Sequence, residues 1–164
     1  MIILGVDPSL NSTGFCFLNC TQDNSFKTIE YGSIDNNKLE NTFEKIANIY
    51  KILDEKMSTN PIDLISIEET FVNVNPRTSL KLGMVRGCIY TLAIKYDTKI
   101  VEYEPKFIKK TITGKGSADK NQILYMTKHL INGFNPKNDD ESDAAAIAIT
   151  AYFMKNIPSY DNLR

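Results

Sequence analysis

Carboxylates follow two apolar runs of the sequence, at the point where each run ends. Asp7 comes directly after the run at residues 2–6, and Glu68 comes directly after the run at residues 62–67. Burial of a lone carboxylate is costly unless the group is paired or binds a metal. If the two runs form neighbouring parallel strands, both acids lie at the carboxyl edge of the sheet, where open sheets bind ligands.

A further group of acids opens the last predicted helix, in the stretch NDDESD at residues 138–143. Asp140 and Asp143 are three residues apart and therefore share one helix face. The small apolar stretch AAAIAI that follows them allows close packing on a sheet, which would bring the acidic turn to the strand ends. Each group alone is typical of a turn, a solvated strand end or a helix N-terminus, where acids suit the helix dipole. Their joint occurrence in this order favours a metal site.

Four converging carboxylates repel one another unless cations neutralise them. Oxygen ligands without histidine or cysteine favour Mg²⁺, with Mn²⁺ as a substitute. Two such ions form a clamp for in-line displacement at phosphorus, in which one activates a water and the other stabilises the leaving 3′ oxygen. This chemistry needs no side-chain nucleophile and no histidine base, and the only histidine of the chain is His129. We therefore expect two Mg²⁺ ions per active site.

The pattern of apolar residues predicts the elements that position these acids. Strands are predicted at residues 2–6, 13–18, 27–34, 62–67 and 99–103. Helices are predicted at residues 38–56, 78–96, 105–112, 118–130 and 139–154. The order of these elements indicates an α/β fold, a five-stranded mixed sheet flanked by helices. The length of 164 residues fits one domain, which we place at residues 1–157, with a C-terminal tail at residues 158–164.

The composition is typical of a soluble globular protein, with 42% hydrophobic and 24% charged residues. No stretch is long and apolar enough to span a membrane, and we expect no secretory signal. Cys16, Cys20 and Cys88 lack the spacing of a disulfide framework. Their number and spacing indicate reduced thiols and a cytoplasmic protein, and we do not expect a structural zinc site.

Four stretches of the chain together resemble RuvC-type Holliday junction resolvases, which are members of the RNase H-like nuclease superfamily. The stretches are ILGVDPSLNSTGF, IEETFVNVNPRTSLKLGMVRG, GKGSADKNQI and DDESDAAAIAIT. The resemblance runs from Met1 to about Ala151 and rests on the joint order and spacing of these stretches. It implies that the mixed sheet is RNase H-like.

The resemblance also implies which residues form the active site. It places the catalytic and metal-binding acids of the family on Asp7, Glu68, Asp140 and Asp143. Asp139 is the alternative if the assignment in the last helix is shifted by one residue. Glu141 and Ser142 stand where family members often carry small residues. Glu141 either modulates metal affinity or caps the helix.

The activity implied by the resemblance is that of a crossover junction endodeoxyribonuclease. Such an enzyme is a homodimer that binds a four-way DNA junction and nicks two strands symmetrically, and a two-fold dimer suits a two-fold substrate. In similar proteins the helix that matches residues 78–96 forms the dimer interface, which fits the glycines Gly83 and Gly87 in that helix. Phe71 matches an aromatic residue that stacks on or opens bases at the crossover, and a core role explains it equally well. Other branched DNA and a branch-migration complex are further candidate partners.

Basic residues in the second half of the chain are the predicted DNA contacts. Bases outnumber acids from Arg77 to Lys128 although the net charge is −1, but charge alone is more typical of solvated helix faces. Lys115 and Lys120 match basic positions of the family and rank first. The predicted set is Arg77, Lys106, Lys109, Lys110, Lys115 and Lys120. Contacts with phosphates would give a salt-dependent affinity.

Several alternatives stay open at this point. A nuclease of the same fold could cut branched DNA more broadly, as a phage debranching enzyme would, or process RNA as an RNase H-like enzyme. The stretch GVDPSLNSTG also resembles the phosphate loop of sugar kinases and actin-like ATPases, but those proteins need two such domains. A catalytically silent protein could hold a junction without cutting it, although the presence of all four acids argues against this. The expected compartment is the cytoplasm of a prokaryotic cell, or of the host if the chain is phage-encoded.

Overall fold

The computed structural model describes residues 1–69 and 76–155. Within these residues five strands form: β1 (Ile2–Asp7), β2 (Ser12–Cys20), β3 (Phe26–Asp35), β4 (Leu64–Glu68) and β5 (Lys99–Tyr103). The same residues form five helices: α1 (Thr42–Thr59), α2 (Pro76–Lys95), α3 (Pro105–Thr113), α4 (Lys120–Leu130) and α5 (Asp139–Met154). The structure confirms the predicted fold class, a five-stranded mixed sheet flanked by helices.

The strands form one sheet in the order β3-β2-β1-β4-β5. β2 is antiparallel to both of its neighbours, and β4 is parallel to both of its neighbours. Val6 of β1 lies opposite Ile67 of β4, and Glu68 lies opposite Tyr103 of β5. The carboxyl ends of β1, β4 and β5 therefore meet at one edge of the sheet. Asp7 and Glu68 lie at this edge on adjacent strands.

Helices cover both faces of the sheet. α1 and α2 pack on one face, in a core that includes Leu4, Phe17 and Ile65. α3, α4 and α5 pack on the other face, in a core that includes Ile3 and Leu18. Because successive residues of a strand point to opposite faces, the neighbours Ile3 and Leu4 belong to different layers.

α5 lies close against the centre of the sheet because glycines face it. A Cβ atom on Gly5 of β1 would overlap the carbonyl oxygen of Ala144, and one on Gly14 of β2 would overlap the carbonyl oxygen of Asp140. The residues of α5 from Ala144 to Tyr152 are all buried. The small apolar residues of this helix therefore pack closely on the sheet, as their pattern predicts. The first turn of the helix lies over the edge where β1 ends.

Two helices begin later than predicted because side chains cap them. α1 begins after Asn41, whose side chain accepts a hydrogen bond from the backbone N–H of Glu44 (2.9 Å). α4 begins after Asp119, which forms a capping box with Gln122 and accepts a hydrogen bond from its backbone N–H (2.9 Å). An N-cap residue has extended backbone, so the helix starts only after it. The apolar pattern continues past these residues and therefore placed both starts too early.

Glycines four apart in a helix, such as Gly83 and Gly87 of α2, usually mark the close approach of another backbone, either the sheet or a partner helix. A Cβ atom on either glycine would meet nothing within 4 Å. The described part of this chain therefore does not pack against them, which excludes the sheet as their neighbour. A helix of a second chain stays a prediction.

The three cysteines, Cys16, Cys20 and Cys88, are free and buried. Burial raises the pKa of Cys88 to about 11, so this thiol stays protonated at neutral pH. The prediction of reduced thiols is consistent with this placement. Across residues 1–69 and 76–155, the structure has no helix with the length and apolar character needed to cross a bilayer.

Candidate active site

The ends of two strands and the first turn of one helix bring four acids to one place. Asp7 is the last residue of β1 and Glu68 is the last residue of β4. Asp140 and Asp143 lie in the first turns of α5. The negative charges of Glu68, Asp140 and Asp143 all act on Asp7. Asp7 is therefore the common neighbour of the other three acids.

Burial and mutual repulsion disfavour the charged forms of these acids. Burial, with repulsion by Asp143, Glu68 and Asp140, raises the pKa of Asp7 to about 8. Burial, with repulsion by Asp143, raises the pKa of Glu68 to about 7. Burial is also the main cause of the raised pKa of Asp143. Strongly shifted groups of this kind cluster at functional sites.

Residues of β2 hold Asp140 at this edge. The Ser12 hydroxyl donates a hydrogen bond to the carboxylate of Asp140. Gly14 lies opposite Asp7 in the ladder between β1 and β2, and its missing side chain leaves room for the backbone of Asp140. Sequence reasoning missed Ser12 because a serine in a turn-rich stretch is ordinary, and no pattern connects it to a residue 128 positions away.

Buried polar side chains fix the loop that follows Asp7. The Thr13 hydroxyl donates to the backbone oxygen of Ser9 (2.5 Å), and the Asn36 side-chain amide donates to the backbone oxygen of Leu10 (3.0 Å). Both donor side chains are fully buried, and buried polar groups need such partners. The loop is therefore held by one residue of β2 and by the residue that follows β3. Asn36 also escaped prediction, since an asparagine after a strand usually indicates only a turn.

Two of the predicted DNA-contacting lysines flank the acids. Lys120, the first residue of α4, forms an ion pair with Asp139 (3.0 Å), and its positive charge also acts on Asp7. The positive charge of Lys109 on α3 acts on Glu68. Asp139 is therefore engaged by a lysine at the rim of the acidic cluster, a contact that the sequence did not indicate.

The remaining predicted DNA contacts that the structure describes have exposed side chains: Arg77, Lys106, Lys110 and Lys115. α3 ends at Gly114, whose φ of +79° is a left-handed conformation that glycine adopts without strain. The loop then returns to α3, since a Cβ atom on Gly116 would lie 3.3 Å from the carbonyl oxygen of Lys106. Phe71, the predicted aromatic contact with the crossover, lies outside the described residues.

Glu141 engages the backbone at the start of α5. Its buried carboxylate accepts a hydrogen bond from the N–H of Lys137 (2.8 Å). Its own N–H donates to the capping side chain of Asn138 (3.0 Å). Of the two interpretations of Glu141, these contacts favour the one in which it stabilises the helix start.

The donor set of the acidic cluster fits a hard divalent cation. Its ligands are all carboxylate oxygens, which Mg²⁺ and Mn²⁺ prefer, and a cation would favour the charged forms that burial disfavours. Within the described ranges, no three His, Cys, Asp or Glu side chains make up a ready-formed metal-binding group. A divalent cation would therefore complete the site. The residues that could hold it are Asp7, Glu68, Asp140 and Asp143.

The sheet order and the position of the acids define the class of the protein. A mixed sheet of this order, with acids at the ends of two adjacent parallel strands and on the helix packed across them, is that of an RNase H-like nuclease. The model of the family crossover junction endodeoxyribonuclease RuvC matches residues 3–151. The chain belongs to this family, whose nucleases are metal-dependent. The resemblance found in the sequence is confirmed.

Relatives and solved structures agree with this assignment. The crossover junction endodeoxyribonuclease RuvC of Rickettsia akari (strain Hartford) is 41% identical over 156 residues, which are 94% of this chain and 99% of the relative. The protein of that name from Rickettsia bellii (strain OSU 85-389) is 41% identical over 157 residues, 95% of this chain and 99% of the relative. Thermus thermophilus RuvC in complex with a Holliday junction substrate has a TM-score of 0.87 at 20% identity, over 94% of each chain. The yeast mitochondrial Holliday junction resolvase has a TM-score of 0.66 at 15% identity, over 90% of this chain and 76% of that one. The two solved structures therefore have the same fold as this chain.

Proposed function

We propose that this protein is a structure-specific DNA endonuclease that resolves four-way junctions by paired, symmetric nicks. The observation that carries the proposal is the cluster at the ends of β1 and β4, where Asp7, Glu68 and Asp143 are half-buried and the pKa of each carboxyl is raised, first by partial removal from water. Such a cluster is stable in its charged form when cations bind it. Relatives about 40% identical carry the name crossover junction endodeoxyribonuclease.

The proposed metal ligands are the carboxylates of Asp7, Glu68, Asp140 and Asp143. The proposed ions are Mg²⁺, two per active site, with Mn²⁺ as a substitute; when bound, they supply an activated water and stabilise the leaving 3′ oxygen. Asp7 is suited to be the shared ligand because the charges of the other three acids all act on it. The buried loop contacts of Thr13 and Asn36 keep the backbone next to Asp7 in one shape.

Lys109 and Lys120 are the proposed contacts with the phosphate that is cut. Both act electrostatically on the acids, so a phosphate held by them lies beside the carboxylates. Lys120 would exchange its ion pair with the exposed Asp139 for the phosphate; surface ion pairs of this kind contribute only about 0–1 kcal/mol. Further phosphate contacts are proposed for Arg77, Lys106, Lys110 and Lys115, and a stacking role at the crossover for Phe71.

A homodimer is proposed through the outer face of α1 and α2. An apolar groove of about 340 Å³ lies there, lined by Phe43, Ile46, Ala47, Tyr50, Met84, Cys88 and Thr91. The side chains of Phe43 and Met84 are 79% and 54% exposed, and exposed apolar patches mark interaction surfaces. Gly83 and Gly87 on α2 leave space for close approach of a second helix. A dimer with two-fold symmetry would present two active sites to a two-fold junction.

The proposed compartment is the cytoplasm, of a prokaryotic cell or of the host of a phage. The buried, free cysteines fit a reducing compartment. A branch-migration complex stays a candidate partner.

A cleavage assay on four substrates tests the proposed activity. The substrates are a four-way DNA junction, the linear duplex of one arm, a DNA fork and an RNA–DNA hybrid. Each is incubated with Mg²⁺, Mn²⁺, Ca²⁺ or EDTA. Asp7→Asn serves as the control for contaminating nucleases, because it is expected to lose cleavage while it retains nearly all junction binding.

The expected result is paired nicks in strands of like polarity, in the junction alone, with Mg²⁺ or Mn²⁺. Cleavage of forks as well would replace the proposal with a broader debranching activity. Cleavage of the hybrid alone would move the protein to the RNA-processing enzymes of the fold. Tight junction binding without cleavage in any metal would leave a catalytically silent junction-binding protein.

A further inference from the structure

Two alternate residues of β2 hold a single acid of α5. Ser12 donates its hydroxyl hydrogen bond to Oδ2 of Asp140. Gly14, two residues along the strand, leaves room for the carbonyl oxygen of Asp140. Residues two apart in a strand point to the same face, so Ser12 and Gly14 meet Asp140 from one side. The strand therefore fixes both the backbone and the carboxylate of this residue.

The hydrogen bond makes the two oxygens of the Asp140 carboxylate unequal. Oδ2 is engaged by the hydroxyl, which leaves Oδ1 as the oxygen with free acceptor capacity. An aspartate in the first turn of a helix otherwise samples several side-chain rotamers. A carboxylate already held by a partner loses less conformational freedom when a cation binds to it. Hydrogen bonds from such outer partners orient metal ligands in general.

The hydroxyl also acts on charge. Asp139, Asp140 and Asp143 lie within the first turns of α5, and Asp7 lies near them. The Ser12 hydrogen points its partial positive charge at this cluster. A hydrogen bond to a carboxylate is stronger than one between neutral groups, so the contact holds Asp140 in place.

We infer that Ser12 is a positioning residue for the cation site: it holds Oδ2 of Asp140 and presents Oδ1 to a cation shared with Asp7 and Asp143. The inference rests on the proposed function, since it assumes that these acids bind a divalent cation.

A pair of variants of equal shape tests the role of the hydroxyl. Ser12→Thr keeps the hydroxyl, whereas Ser12→Val has the same branched shape without it, and both side chains suit a strand. Ser12→Ala removes the hydroxyl without an added methyl group and replaces the valine variant if that one fails to fold. Far-UV circular dichroism checks the fold of each variant.

The matched control is Ser33→Ala. Ser33 on β3 accepts a hydrogen bond from the side chain of Asn138 (2.8 Å), the residue that caps the same helix. Loss of this contact removes a link between the sheet and α5 but touches no carboxylate. A purely structural role of serine contacts would therefore affect both positions alike.

The measurement is Mn²⁺ binding to the protein alone, followed by the electron paramagnetic resonance of free Mn²⁺ in a titration without DNA. Ser12→Val is expected to weaken Mn²⁺ binding about tenfold, while Ser12→Thr and Ser33→Ala stay within about twofold of the wild type. The Mn²⁺ concentration that gives half-maximal cleavage of a junction should move by the same factor.

Wild-type affinity in a folded Ser12→Val would overturn the inference and leave the cation site intact. Equal losses in Ser12→Val and Ser33→Ala would also overturn it, because the hydroxyl would then act only on the position of the helix. Absence of Mn²⁺ binding in the wild type would instead refute the proposed cation site itself, and the inference with it.

Discussion

Gly5 of β1 lies so close to Ala144 of α5 that a Cβ atom on Gly5 would overlap the carbonyl oxygen of Ala144. The same atom would lie 2.8 Å from the backbone nitrogen of Ala148 and 2.9 Å from its Cβ atom. A helix backbone cannot turn aside as a flexible side chain can. The absence of a side chain at Gly5 therefore sets the distance between the helix that carries Asp140 and Asp143 and the strand that ends in Asp7.

Gly5→Ala is expected to destabilise the fold and to disrupt the acidic cluster together. Overpacking of a core typically costs about 1–3 kcal/mol, which for a chain of this size lowers the melting temperature by about 3–10 °C. Because α5 must move away from β1, junction cleavage should fall even well below the melting temperature. Thermal unfolding and the cleavage rate at 25 °C measure the two effects.

Gly32→Ala on β3 is the control for this change. Its new Cβ atom would lie 3.0 Å from the ring of Phe15, a side chain that can shift. A smaller loss of stability with normal cleavage is expected. Equal effects of the two substitutions would contradict the view that the backbone of α5 is the limiting contact.

Asp7→Asn is expected to change how stability depends on pH when EDTA removes divalent cations. The pKa of Asp7 is about 8 in the folded protein against an ordinary value of 3.8. The folded state thus holds a proton that the unfolded state has released, so this carboxyl makes the fold less stable as pH rises from about 4 to about 8. The asparagine variant lacks this loss and should therefore melt well above the wild type at pH 8.

The difference between the two proteins should shrink towards pH 4, where the Asp7 carboxyl is protonated in both the folded and, increasingly, the unfolded chain. Mg²⁺ should stabilise the wild type at pH 8 and leave Asp7→Asn nearly unchanged. If the melting temperatures of the two proteins differ by the same amount from about pH 4 to about pH 8 in EDTA, the raised pKa of Asp7 is disproved.

The fold could be predicted because the patterns that specify it are local. The strands are apolar or alternating runs bounded by turn residues, and β5 and α5 begin and end where the sequence places them. The convergence of Asp7 with Glu68 followed from one further assumption, that β1 and β4 are parallel neighbours. That assumption depends on the order of strands, which the family resemblance supported.

The contacts around the acids could not be predicted for a physical reason. Ser12 reaches Asp140, and Lys120 pairs with Asp139, through side chains whose meeting depends on how α4 and α5 lie on the sheet. No periodicity in the sequence encodes such a distance. The predicted starts of α1 and α4 were wrong for a different reason. The helical pattern of apolar residues already begins before the capping residue, such as Asn41 of α1, so the pattern alone does not show where the helix starts.

Lys115→Ala is expected to weaken junction binding and to lower its dependence on salt. Lys115 is exposed in the loop after α3, where a phosphate contact would release about one counterion. The slope of log affinity against log salt should therefore fall by about one, measured from about 50 to about 200 mM salt.

Lys27→Ala is the matched control for the salt dependence. Lys27 is also exposed. It lies opposite Asn19 in the sheet, and Asn19 lies opposite Ile2 at the start of β1. Lys27 is therefore at the far end of the sheet from Asp7. Its slope should equal that of the wild type. An unchanged slope in Lys115→Ala would remove this lysine from the phosphate contacts, and an equal fall in Lys27→Ala would indicate that only overall charge matters.

Met84→Asp is expected to convert a dimer into monomers, because it places a charge in the apolar groove between α1 and α2. Burial of an unpaired carboxylate in such an interface is costly, and a loss of at least about 3 kcal/mol weakens dimerisation at least a hundredfold. Sedimentation equilibrium should then give the wild type twice the mass of one chain and the variant a single chain mass. Tyr125→Asp, on the exposed face of α4 across the sheet, should stay dimeric.

A monomeric variant that keeps its acids should nick junctions singly, because each nick requires only one active site while paired nicks require two in one complex. A monomeric wild type would contradict the proposal that the groove on α1 and α2 binds a second copy. Paired nicking by a monomeric variant would contradict the proposal that paired nicks need a dimer.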